Sequence, residues 1–271
     1  MTNILCANAF FEKLRNFILK YFVGQGVVNA EPSTYVYTAK HWLVIGLVAI
    51  ATILTYFIFR KKSEKTKHTA LVIVAWVLVI CEIMTRVSKL FYFADLGTLD
   101  LVLAIKTILP IHFCQVMIWV IIFAIIFDYK PLLGFSALCG LIAGTVYLAY
   151  PIEGLSASFL HIRAFNSIFS HSLAFVASLN MLLLGVAKID IKDMLKTYLI
   201  LIAVVIYGFI MNLIFPGENY MFMIENPTGI STGPIPYQLV FAVIIATFIA
   251  LFYLIPYWIK KAKVKKTIKT K

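Results

Sequence analysis

The chain has little charge. Asp, Glu, Lys and Arg make up 13% of its 271 residues, 62% are hydrophobic, and mean hydropathy reaches +0.95. A soluble core of this length could not bury so much apolar side chain, so a water-soluble domain is excluded and a polytopic membrane protein is indicated. Acid is scarcest: 12 Asp and Glu stand against 24 Lys and Arg, a formal net charge of +12. The basic residues gather between and after apolar runs, so they report topology, and no nucleic-acid partner is expected. The four cysteines, Cys6, Cys81, Cys114 and Cys139, show no CxxC or CxxH spacing, which argues against a disulfide framework or a structural zinc site. No basic stretch and small-residue cleavage site mark a signal peptide, and no internal repeat is visible.

What is present is a series of apolar windows of about 20 residues, which predicts an all-α membrane bundle of about seven transmembrane helices. They fall at Trp42 to Phe59, Thr69 to Leu90, Leu109 to Phe127, Leu132 to Tyr150, Ala164 to Val186, Met194 to Phe215 and Tyr237 to Tyr257. Three parts follow: an interfacial amphipathic helix and linker over 1–40, the bundle over 41–258, and a basic tail over 259–271. In the first, Phe10, Phe11, Leu14, Phe17, Ile18, Tyr21 and Phe22 recur at helical spacing opposite Glu12, Lys13, Arg15, Asn16 and Lys20. The connector Arg60 to His68 and the tail carry the strongest basic runs. The positive-inside rule places both in the cytoplasm and the N-terminus outside, in a multi-pass plasma membrane protein of bacterial type. Thr98 to Lys106 is too short to span and predicts an interfacial or re-entrant helix with Thr98 as cap. The loop PGENYMFMIENPTGISTGPIP has the length and composition of a lid or site wall.

That topology gathers polar residues from four spans into one layer near the outer surface: Glu82, Arg86 and Lys89; His112, Cys114 and Gln115; Ser167 and His171; and Asn212, with Asn219 and Tyr220 just beyond. Each costs free energy in hydrocarbon unless it finds a partner or a wet cavity, so a polar pocket opening to the outer leaflet is expected. Glu82 and Arg86, four apart with the acid first, make either a self-neutralised structural pair or a head-group contact. Arg163, Ser167, His171 and Ser178 form one stripe facing the bundle.

Pro110 suits a first helical position, which would put Cys114 near a helix start, where the dipole favours thiolate. His171 is then the candidate base of a Cys/His pair, with Gln115 or early backbone amides as oxyanion donors. Residue pattern alone still favours an inert buried thiol. A transition metal on His112, Cys114 and His171 lacks a carboxylate to complete a hydrolytic site, and bis-histidine haem is equally unsupported, so no cofactor is expected.

The blocks LPIHFC at 109–114, FLHIRAFNSIFSHS at 159–172 and NYMFMIENP at 219–227 resemble the YwaF-type integral membrane family, which includes transmembrane protein 164 of animals. The resemblance implies a lipid acyltransferase, with phospholipids as partners, Cys114 as nucleophile and His171 as base. His112, Asn219 and Tyr220 would then line the site. The leading expectation is an acyl-transfer or acyl-hydrolysis enzyme. The alternatives are a transporter or receptor-like binder of a small amphiphile, and a scaffold in which every polar residue is interhelical glue.

Overall fold

The computed structural model describes residues 12–18, 36–151, 155, 162–217, 219–224 and 236–269. The two ends of the expected amphipathic helix, the residues 156–161 and most of the Gly- and Pro-rich loop, 225–235, lie outside them. Among the described residues there are helices and no strands. The helices are α1 (Ala39–Phe59), α2 (Glu64–Asp95), α3 (Leu101–Ile108), α4 (Phe113–Ile126), α5 (Lys130–Ala149), α6 (Ile162–Leu183), α7 (Met194–Ile214) and α8 (Tyr237–Lys269). Six are long and apolar enough to cross a membrane, and the pair α3 and α4, bent by 54°, makes a seventh span when counted together.

Local chemistry sets the boundaries. The Ser63 hydroxyl accepts from the Thr66 N–H at 3.2 Å, and Glu64 follows in the first turn, where the helix dipole favours an acid. This cap starts α2 five residues before the apolar window. Asp100, rather than Thr98, caps α3, accepting from the Leu103 N–H at 2.7 Å. The expected continuous span from Leu109 does not form. Pro110 drives the preceding residue out of helical geometry, Leu109 sits at φ −70°, ψ 141°, and α3 therefore ends at Ile108. The chain restarts as helix at Phe113 with His112 as N-cap, so Pro110 lies in the break and Cys114 becomes the second residue of α4. With 14 residues, α4 is about 21 Å long, short of the ~30 Å hydrocarbon core.

Helices α2, α4, α5 and α6 pack into the centre, α1 lies against α6, and α7 and α8 flank the other side. Gly140 and Gly144 on α5 allow the closest approach. A Cβ on Gly140 would strike Ser178 Oγ and Ile121, and one on Gly144 would stand 2.7 Å from Phe175 Cβ. This is the small-residue spacing that lets membrane helices meet without a hydrophobic driving force. The outward faces are apolar: Ile50, Phe57, Ile73, Trp76, Leu199, Ile206 and Phe248 are all exposed, as lipid contact requires.

The two ends of the bundle are chemically different. At one, Lys67 Nζ donates to the Leu184 carbonyl at 3.1 Å and His68 lies 3.5 Å from Asp128, which gathers the basic connectors together. At the other lie the break between α3 and α4, the end of α7 and the turn Tyr220–Phe222. The N-terminal segment is tied to this second end by Arg15, 2.8 Å from Asp95, and its Leu14, Phe17 and Ile18 are exposed. The helix α8 runs without interruption into the basic tail.

Candidate functional site

At a helix break, the last four carbonyls of one helix and the first four N–H groups of the next have to find partners. Here each side of the break is held by a named side chain. Arg86 Nε donates to the Ile108 carbonyl, the last of α3, at 2.8 Å. Tyr207 on α7 donates its phenol to the Pro110 carbonyl at 3.1 Å. The His112 N–H donates to Gln115 Oε1 at 3.4 Å, closing the first turn of α4.

On the α2 side, Arg86 Nη1 contacts Glu82 Oε2 at 2.5 Å, and the guanidinium carbon lies 5.7 Å from the Trp119 ring centroid. Glu82 is buried and Arg86 nearly so, with side chains 6% and 12% exposed. Arg86 Nη2 is buried and has no hydrogen-bond partner among the described residues. The pair thus joins α2, α3 and α4, a structural duty for which either sequence expectation left room.

On the α7 side, Asn212 clamps the turn. Its Nδ2 donates to the Tyr220 carbonyl at 3.0 Å, and its Oδ1 accepts from the Tyr220 N–H at 2.9 Å. That holds Tyr220 edge-on to His112, ring centroids 5.6 Å apart, and against Ile111 and Phe215. Asn219 Oδ1 accepts from the Ile224 N–H at 2.9 Å, so this amide organises the turn. Met221 adopts φ 54°, and its sulfur packs against Gly208.

On α6, His171 Nδ1 lies 2.8 Å from the Ser167 carbonyl, its ring stacks on Tyr147 of α5 with centroids 3.8 Å apart, and the Tyr147 phenol meets Ser167 Oγ at 2.7 Å. Cys114 is half-buried and packs with Met117, Cys139, Ala143 and Val204.

Helix register places Cys114, Tyr147 and His171 at one depth. Ile121 of α4, Gly140 of α5 and Ser178 of α6 meet at one point. Cys114 and His171 each precede their member of that trio by seven residues, and Tyr147 follows Gly140 by seven. Seven residues are two turns, about 10.5 Å, and return to nearly the same helix face. The antiparallel order of the three helices carries all three displacements toward the break. Of the residues expected to share a layer, Glu82 and Arg86 pair on α2, His112, Gln115, Asn212, Asn219 and Tyr220 surround the break, Ser167 and His171 lie beside α5, and Cys114 packs among apolar side chains. The described His112, Cys114 and His171 do not join as a metal-ligand cluster.

Tyr147, Trp119 and Tyr207 were missed from the sequence. Each is an aromatic residue in an apolar run, and its polar tip acquires meaning only from a partner on another helix. A shallow apolar groove of about 320 Å³ also lies between α4 and α7, lined by Pro110, Val116, Ile200, Ala203, Val204 and Tyr207. Of its lining, Val116, Ile200 and Val204 belong to the same apolar cluster as Cys114.

No curated protein and no solved structure matches the chain. One family model does, over residues 36–256, from the turn before α1 to Pro256 inside α8. That match takes in α2 through α7, the break and every residue of the layer. The chain, a multi-pass membrane protein, belongs to the TMEM164 family.

Proposed function

We propose that the protein transfers acyl groups between membrane lipids, with Cys114 as nucleophile and His171 as general base. What carries the proposal is the shared depth of the two residues beside a break whose geometry three side chains hold fixed. Apolar neighbours do not support a standing thiolate, so the proton has to leave as sulfur attacks. His171 takes the Cys114 proton while the sulfur adds to a phospholipid ester carbonyl. The lysolipid leaves with that proton, and a thioester remains on Cys114. A second lysolipid hydroxyl then gives its proton to His171 and attacks the thioester, and the returning proton restores the thiol. Water in place of that hydroxyl gives hydrolysis. Backbone N–H groups in the first turn of α4, with Gln115, face the developing oxyanion. His112 and Tyr220 form the wall toward α7, and membrane phospholipids are both donor and acceptor.

The test uses the protein in vesicles with an isotope-labelled phospholipid and a lysolipid acceptor. Labelled acyl chain appears on the acceptor and as a Cys114 thioester in wild type, and neither appears in Cys114→Ser. Turnover in that variant at the wild-type rate refutes the assignment. The α4–α7 groove favours one rival, a binder of an amphiphile. Retention of a bilayer-derived ligand by Cys114→Ala, with no acyl movement in wild type, would identify it.

A further inference from the structure

A base is useful only in one tautomer, and the surroundings of His171 select it. A carbonyl oxygen can only accept, so the 2.8 Å contact from Nδ1 to the Ser167 carbonyl places the ring proton on Nδ1. The basic nitrogen of the neutral ring is then Nε2. The Nδ1 hydrogen bond by itself would allow the ring the freedom to rock about it. Tyr147 removes that freedom, because its ring lies 12° from parallel to the imidazole at 3.8 Å. Tyr147 is fixed in turn at its far end, where its phenol and Ser167 Oγ share a 2.7 Å hydrogen bond.

The backbone around this arrangement is also held. Gly144, one turn before Tyr147, sets α5 against Phe175 on α6 at a distance that a side chain would not permit. The next carbonyl, that of Leu148, lies 2.6 Å from Nε2 of the fully buried His41, which ties α1 to the same turn. His41 Nδ1 accepts the Tyr37 N–H at 2.8 Å, so this imidazole donates from Nε2 and is tautomer-fixed as well.

We infer that Tyr147 and Ser167 are positioning residues, which hold His171 as its Nδ1–H tautomer with Nε2 presented as the base. The inference rests on the assignment of His171 made above, yet its test has a readout that turnover does not touch. The protein, labelled with ¹⁵N-histidine in phospholipid nanodiscs, gives the protonation of each ring nitrogen, with His171 assigned by its loss in His171→Gln. Wild type shows a protonated Nδ1 and an unprotonated Nε2 on His171. Tyr147→Leu shows a mixture of tautomers. Tyr147→Phe and Ser167→Ala keep the stack and the Ser167 carbonyl and lose the same phenol–hydroxyl hydrogen bond, so both lie between.

In the acyl-transfer assay, Tyr147→Leu lowers kcat by about 10²-fold, the cost of a misaligned catalytic group, with KM little changed. Tyr147→Phe stays within about fivefold, the worth of one ordinary hydrogen bond. A wild-type His171 protonated on Nε2 overturns the inference, as does an unaltered tautomer in both Tyr147→Leu and Ser167→Ala. If the tautomers behave as stated while wild type moves no acyl groups, the positioning stands and the enzyme assignment falls.

Discussion

Arg86 is the residue whose removal separates a structural pair from a ligand contact. In Arg86→Met the side-chain stem is kept and three things are lost: the ion pair with Glu82, the hydrogen bond to the Ile108 carbonyl, and the cation over Trp119. Breaking a buried pair by removing one partner costs about 3–5 kcal/mol, because the other charge stays buried. The side chains are 12% and 6% exposed, so little of that figure is lost to solvent screening. The orphaned Ile108 carbonyl adds about 1 kcal/mol. A loss of about 4–6 kcal/mol corresponds to a fall of about 10–20 °C in Tm for a domain of this size.

The second arm is Glu82→Met with Arg86→Met. Replacing both partners of a buried pair with apolar groups is often neutral, so the double variant recovers about 3 kcal/mol and keeps the deficit of the unsupported Ile108 carbonyl. Thermal unfolding in nanodiscs, followed by tryptophan fluorescence, gives all four corners of the cycle. A single variant within about 1 kcal/mol of wild type, or a double variant as unstable as the single, refutes the latch at the break.

Two further predictions concern packing. Gly144→Ala puts a Cβ 2.7 Å from Phe175 Cβ and 3.2 Å from its Cα, where backbone has to move, and costs about 1–3 kcal/mol in thermal unfolding. Gly46→Ala, with open space around its added methyl, instead gains about 0.5–1 kcal/mol; equal effects at the two sites would contradict the α5–α6 contact. Asn212→Ala removes both hydrogen bonds to the Tyr220 backbone and costs about 1–3 kcal/mol, and it speeds hydrogen exchange over residues 219–224. Wild-type exchange in that variant would show that the turn is held by other contacts.

The spans were readable because lipid imposes a simple rule: every backbone group in hydrocarbon is satisfied by its own helix, so a run of about 20 apolar residues can be little else. The break was half-readable. Pro110 was visible, but a proline fits the first turn of a helix as well as a break. The choice was made by distant partners, since Arg86 and Tyr207 lie 22 and 97 positions from the carbonyls they satisfy. Those carbonyls can leave the helix because donors wait for them.

The same difference governs the chemical groups. The spacing of Ser167 and His171 showed a stripe, because residues on one helix share a face by arithmetic. Tyr147 is separated from His171 by a whole connector, and its place beside the imidazole is fixed by Gly140 and Gly144, residues that advertise only what they lack. A sequence therefore marks a nucleophile or a base by type, while the residues that orient it are marked by register between helices. At this break the register follows from one crowded point, where Ile121, Ser178 and the bare backbone of Gly140 meet. Two turns above it, Cys114, Tyr147 and His171 have no freedom to lie anywhere but in a common layer.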